Sequence, residues 1–147
     1  MTPAYPLFIN GEFKDSPNKQ KIINPSTGEI IAEVAIASRK DTDLAIEAAR
    51  FAFDKGTWPR ISLEERKNFL LKISQGILDK AGDLAKLESL NTGKPIKEST
   101  FMDIPSSAKT FEFSANNLEK YLESDTLKLQ DAHSRLLREP QGVAVLI

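Results

Sequence analysis

Apolar and polar positions follow three successive rhythms along the chain. At the N-terminus, Leu7-Phe8-Ile9 and Glu12-Phe13 flank Asn10-Gly11, a pair that accepts positive φ and closes two-residue hairpins. A polar stretch from Lys14 to Lys21 leads to Ile22-Ile23. Asn24-Pro25-Ser26-Thr27-Gly28 then makes a turn, and Ile30 to Ile36 reads as another strand. These strands are expected to pair with one another.

The second rhythm is helical. Ser38-Arg39-Lys40-Asp41 has capping-box spacing, in which a serine hydroxyl and an acidic side chain satisfy free amides at a helix start. Leu44, Ala45, Ala48, Ala49 and Ala52 follow on one face, and Gly56 stands where that helix should stop. Ser62-Leu63-Glu64-Glu65 repeats the cap before Phe69, Leu70, Ile73, Ile77 and Leu78. Leu84, Leu87 and Leu90 form a third apolar face, closed by Asn91-Thr92-Gly93 with Pro95 beyond. A fourth carries Ile104, Ala108, Phe111, Ala115, Leu118 and Leu122, with Pro105 confined to its first turn or kinking it. Gly76 and Gly82 read as a packing position and a helix junction.

The third rhythm is short and alternating. Thr126 to Leu129 and Ser134 to Arg138 read as two antiparallel strands, and Gly142-Val143-Ala144-Val145-Leu146-Ile147 is an unbroken apolar run. Such a run is the signature of a strand buried on both faces of a parallel sheet. Parallel neighbours need crossovers of about a dozen residues or more, so the sheet this strand opens is expected to lie outside the sequence.

Composition narrows the partners. There are 20 Lys+Arg against 21 Asp+Glu and a net charge of -1, which leaves no basic face for nucleic acid and no polybasic stretch for anionic lipid. No apolar run approaches the ~20 residues a membrane helix needs, and the start lacks a secretory signal pattern, so a cytoplasmic location is expected. The chain holds no cysteine, which removes disulfides, thiolate metal sites and thiol nucleophiles.

Several words in fixed order carry a resemblance. They are Phe8-Ile9-Asn10-Gly11-Glu12-Phe13, Asn24-Pro25-Ser26-Thr27-Gly28-Glu29, Trp58-Pro59 and Glu64-Glu65-Arg66, followed by Leu87-Glu88-Ser89-Leu90-Asn91-Thr92-Gly93-Lys94-Pro95 and Arg138-Glu139-Pro140-Gln141-Gly142-Val143. Each is weak alone; their joint order resembles the N-terminal portion of the NAD(P)-dependent aldehyde dehydrogenase superfamily. The resemblance implies an α+β fragment of an α/β enzyme, with an N-terminal β-hairpin, about four amphipathic helices, an antiparallel strand pair and the first strand of an incomplete Rossmann-type sheet. It implies a division into residues 1–122, the hairpin and helical part of the cofactor-binding domain, residues 123–139, strands of an oligomerisation region, and residues 140–147, the opening strand of the dinucleotide sheet.

In that family a Pro-Trp-Asn stretch follows the opening strand. Its asparagine helps to hold the oxyanion, a later cysteine attacks the aldehyde and a glutamate activates water. The resemblance thus implies oxidation of an aldehyde with NAD or NADP by the complete protein, and inactivity without cofactor binding for this chain alone. No catalytic residue is assigned. Ile147 is assigned to the cofactor because ligands dock beyond the carboxyl ends of parallel strands. A structural monovalent cation is implied on backbone oxygens near Ile22 and Ile23 with Asp103, together with an oxygen that the family draws from beyond this sequence. The plain alternative has Asp103 capping the fourth helix and Ile23 simply within a strand.

Other candidates reduce to ordinary roles. Thr92-Gly93-Lys94 is not a phosphate loop, since Glu88 and Pro95 stand where glycine and Ser/Thr belong. His133 beside Asp131 reads as a solvated turn residue, and Lys94, Lys97 and Lys109 as surface charges. Homo-oligomerisation, or association through the exposed C-terminal strand, is expected. The rival reading is a non-catalytic helical module that binds another protein through that strand or the face bearing Phe111 and Tyr121.

Overall fold

Asn10 and Gly11 take φ of 51° and 84°, the double positive φ of a type I′ turn, and so fold β2 (Leu7–Ile9) onto β3 (Glu12–Lys14). The computed structural model describes residues 2–122, 126–129 and 132–146, with backbone alone at 126–129, 132, 133 and 135. Phe8 and Phe13 face each other across the hairpin with ring centroids 5.0 Å apart.

The hairpin does not join the neighbouring strands, contrary to the sequence expectation. β4 (Lys19–Ile23) pairs antiparallel with β5 (Ile30–Ala35), and β5 is flanked on its other side by a parallel two-residue strand, β1 (Ala4–Tyr5). Pro6 separates β1 from the hairpin and cannot donate to a ladder, which lets the chain leave one sheet and enter the other. Buried Ser16 fixes the return: its hydroxyl donates to the Ile36 carbonyl at 2.8 Å and accepts from the Asn18 amide at 3.3 Å.

Helices α1 (Arg39–Lys55) and α2 (Leu63–Asp79) start at Ser38 and Ser62 with complete capping boxes, as their spacing predicts. α1 stops at Gly56, although in extended rather than left-handed backbone. Helix α3 (Ala81–Thr92) ends at Gly93 with φ 77°, the left-handed cap. The fourth helical run differs from expectation at both ends. It begins eight residues early, with a turn α4 (Ile96–Glu98) and a π-helical turn (Ser99–Asp103), continues as α5 (Ile104–Asn116), and breaks at Asn117 before α6 (Leu118–Leu122). Pro105 removes the amide that would bond back one turn, and the π turn just before it accommodates the loss: the Ile104 amide reaches to Ser99.

The principal packing is α2 on α5. The buried Ser74 hydroxyl donates to the Ala108 carbonyl at 2.8 Å, and Ala108 and Ala115 are each 2% exposed. Small residues at the contact let the two backbones approach. On the other side of α2, Phe69, Ile73 and Leu78 stay 44–51% exposed. The whole chain presents 11871 Å² to solvent at a mass of 16.3 kDa, against ~7,500 Å² for a compact monomer of that size. Gly76, read as a packing position, has open space where a Cβ would stand.

β6 (Thr126–Leu129) and β7 (Ala132–Arg135) pair antiparallel. The second strand therefore lies earlier than the expected Ser134 to Arg138, and His133 sits in it rather than in a turn. The opening strand of the dinucleotide sheet is not formed: residues 140–146 run without strand pairing, and Val145 and Leu146 are 71% and 96% exposed. A strand is defined by ladder partners, and this run meets none among the described residues. No helix there is long and apolar enough to cross a membrane.

Candidate functional site: a charged helix junction and two closed helix starts

The sequence around Gly93 turns a helix end into a fixed point. Only glycine enters φ near +77° without strain, and a Cβ on Gly93 would lie 2.7 Å from Pro25 Cγ and 3.3 Å from Ser26 Oγ. The α3 cap thus packs on the Asn24–Gly28 turn, itself tied by Asn24, whose side chain accepts from the Ser26 amide at 2.9 Å. Ser89 Oγ donates to the Lys94 carbonyl at 2.6 Å and holds the next residue in place. Lys94 then points its ammonium at two carboxylates, Asp103 Oδ2 at 2.8 Å and Glu88 Oε1 at 3.2 Å. Asp103, foremost, and Glu88 hold its pKa above the ordinary lysine value.

One expectation is corrected. Lys94, read as a surface charge, is partly exposed and ion-paired at the junction. Asp103 does not cap α5: its backbone is helical, its side chain makes no cap bond, and the carboxylate is taken by Lys94. Of the backbone positions named with it, Ile22 and Ile23 lie in β4 opposite Ala32 and Ile30, at a bulge. Ile22 lines an apolar cleft of about 440 Å³ between the three-stranded sheet and α3, shared with Tyr5, Val34, Leu87 and Leu90. Ile147 lies outside the described residues. No group of three or more metal-binding side chains occurs among those described. Sequence periodicity misses the junction because Glu88, Lys94 and Asp103 follow no single helical face; the available signal was alternating charge around a glycine cap.

The helix starts do not fit a dinucleotide pyrophosphate. A free helix N-terminus attracts phosphate through its exposed amides, but Ser38 and Ser62 close theirs with carboxylates. Asp41 Oδ2 accepts from the Ser38 amide at 2.9 Å and from its hydroxyl at 2.6 Å, while Asp41 Oδ1 receives Lys14 Nζ at 2.6 Å. The Lys14 ammonium, then the Ser38 hydroxyl and amide, hold Asp41 far below the usual carboxylate range. At α2, Glu65 accepts from the Ser62 amide and hydroxyl at 2.9 and 2.8 Å, which lowers its pKa in the same way. Both first turns therefore carry negative charge where a phosphate would sit.

The class follows from comparison with solved structures. The NAD-dependent aldehyde dehydrogenase from Sinorhizobium meliloti superposes with a TM-score of 0.84 at 32% identity, over 95% of this chain and 28% of that one. The model of the aldehyde dehydrogenase family matches residues 13–147, and the chain belongs to that family. Aldehyde dehydrogenase 1 of Tanacetum cinerariifolium is 42% identical over 140 residues, and betaine aldehyde dehydrogenase of Bacillus subtilis is 41% identical over 140 residues; each match takes in 93% of this chain. The chain spans 28% of the length of each of these two relatives.

Proposed function

We propose that this chain is the N-terminal supporting part of an enzyme that oxidises an aldehyde to a carboxylic acid with NAD or NADP, and that it has no such activity alone. The observation that carries the reading is family membership across residues 13–147 in a chain without cysteine. The family's chemistry starts from a thiolate, which this chain cannot supply. NAD is the favoured cofactor, because the similar solved protein is described as NAD-dependent. The division at 1–122, 123–139 and 140–147 stands as part of the proposal, with Ile147 at the cofactor end of the last segment.

The excess of exposed surface supports the same reading. Phe69, Ile73, Leu78, Leu87, Val145 and Leu146 are uncovered, as expected of surfaces that other polypeptide covers in the complete protein. Association of the isolated chain through such surfaces is part of the proposal, and light scattering on the purified chain should show species larger than 16.3 kDa.

The test is direct. The purified 147-residue chain, given an aldehyde and NAD, should produce no absorbance of reduced cofactor, and NAD should leave its melting midpoint unmoved, since a ligand that binds the folded state alone must raise it. Cofactor reduction by this chain would overturn the reading. DNA immediately downstream should encode Pro-Trp-Asn and, later, a cysteine and a glutamate.

A further inference from the structure

The monovalent cation implied at Ile22, Ile23 and Asp103 can be tested against the residues present, and they do not fit it. Asp103 is the single charged member of that ligand set, and its Oδ2 already accepts from Lys94 Nζ at 2.8 Å. Glu88 adds a second carboxylate to the same ammonium at 3.2 Å. The three side chains are about one-third exposed, at 32%, 36% and 35% for Lys94, Asp103 and Glu88. An alkali ion placed on Asp103 would stand beside a like charge that already occupies Oδ2.

The backbone that carries the ammonium is also fixed. Ser89 grips the Lys94 carbonyl, and the left-handed Gly93 before it abuts Pro25, two residues beyond Ile23. Lys94 therefore belongs to the segment that joins the turn after β4 to the helix bearing Asp103. Those two elements hold this chain's members of the implied ligand set, to which the family adds an oxygen from beyond this sequence. A lysine ammonium is a compact point charge with three donors on a four-carbon stem, able to meet oxygens as a small cation does.

We propose that the Lys94 ammonium takes the place of an alkali cation at Asp103, so that this junction is held by a covalently attached charge and needs neither sodium nor potassium. The proposal holds whatever reaction the complete protein performs.

Thermal melting of the 147-residue chain tests it, in sodium chloride, potassium chloride and choline chloride at one ionic strength. The natural chain should melt at the same temperature in all three, to within about 1 °C. Lys94→Gln should melt lower in choline chloride and regain a few degrees in one of the alkali salts, because a specific ion that binds only the folded state stabilises it. Lys94→Arg, which keeps a charge, should stay indifferent to the salt. Alkali-specific stabilisation of the natural chain overturns the proposal, and so does a Lys94→Gln chain that responds equally to all three salts. Should Lys94→Gln fail to melt cooperatively, sodium-23 line broadening decides. The natural chain and Asp103→Asn should broaden the signal equally, whereas excess broadening lost with Asp103→Asn would show an ion on that carboxylate and sink the idea.

Discussion

Gly93 and Gly142 both stand where a methyl group would strike a neighbour, yet they belong to different kinds of structure. At Gly93 the backbone is left-handed, φ 77°, and the obstacle is the Pro25 ring in a hydrogen-bonded turn. At Gly142 the obstacle is the half-buried Phe53 ring, 2.3 Å from where a Cβ would stand, beneath Arg50, whose guanidinium carbon lies 4.4 Å from the ring centroid. The same Arg50 donates from Nη1 to the Gly142 carbonyl at 3.1 Å. The first glycine sits inside a network of mutually supporting contacts; the second sits in a segment laid on α1 against the Arg50 guanidinium and the Phe53 ring. Local crowding thus says little about consequence until the stiffness of the neighbour is known.

The largest effect should come at the stiff site. Gly93→Ala forces a side chain into left-handed backbone, a cost of about 1–2 kcal/mol, and adds the collision with Pro25, so the loss should be about 2–3 kcal/mol in total. Urea melts read by circular dichroism would measure it. A loss below about 0.5 kcal/mol would mean that the α3 cap and the 24–28 turn are not joined in solution.

Acid should produce the next effect. Asp41 titrates far below an ordinary aspartate, so its contribution is complete above about pH 4 and fades only as pH falls toward its depressed folded value. The melting midpoint should drop on going from about pH 5 to about pH 2.5, and Asp41→Asn should flatten part of that slope while lowering stability at neutral pH. Equal slopes in both chains would remove Asp41 from the account. At the alkaline end the sign reverses. Lys94 has a raised pKa, so its contribution is full below the ordinary lysine value near pH 10.4 and lost as pH climbs through the higher folded one.

These contrasts mark what could be read from residues alone. Caps were legible, because Ser38 with Asp41 and Ser62 with Glu65 act within four residues and need no tertiary partner. So was the Asn10-Gly11 turn, and the family membership later found over residues 13–147 was legible in short words kept in order. Pairing between distant strands was not: nothing local in Ala4-Tyr5 announces a parallel strand beside Glu33 and Val34. The 142–147 run shows the opposite failure. Its apolar character reports the environment it is suited to, while strand geometry needs neighbours that the described residues do not provide. At the junction, the Lys94–Asp103 ion pair involves a π turn upstream of Pro105 that carries Asp103, and the usual helical period has no place for it.

A smaller change, and of opposite sign, is expected at Gly76. It lies inside α2 with open space around its missing Cβ, so alanine there gains helix propensity and loses freedom in the unfolded chain. Gly76→Ala should stabilise this chain by about 0.5–1 kcal/mol. Destabilisation would reveal that something in solution covers that face of α2.

Gly142→Ala should have the smallest effect on stability and the clearest local signature. The Phe53 ring can swing aside or the 140–146 segment can lift and release the Arg50 hydrogen bond, and neither touches the α2–α5 core. The melting midpoint should therefore stay within the spread of ordinary surface substitutions, about 0.5 kcal/mol, while the proton contact between the Phe53 ring and the α-protons of residue 142 disappears from nuclear Overhauser spectra. The natural chain should show that contact. If Gly142→Ala instead costs as much as Gly93→Ala, the segment belongs to the cooperative body, and the distinction between a stiff junction and a lightly held segment fails.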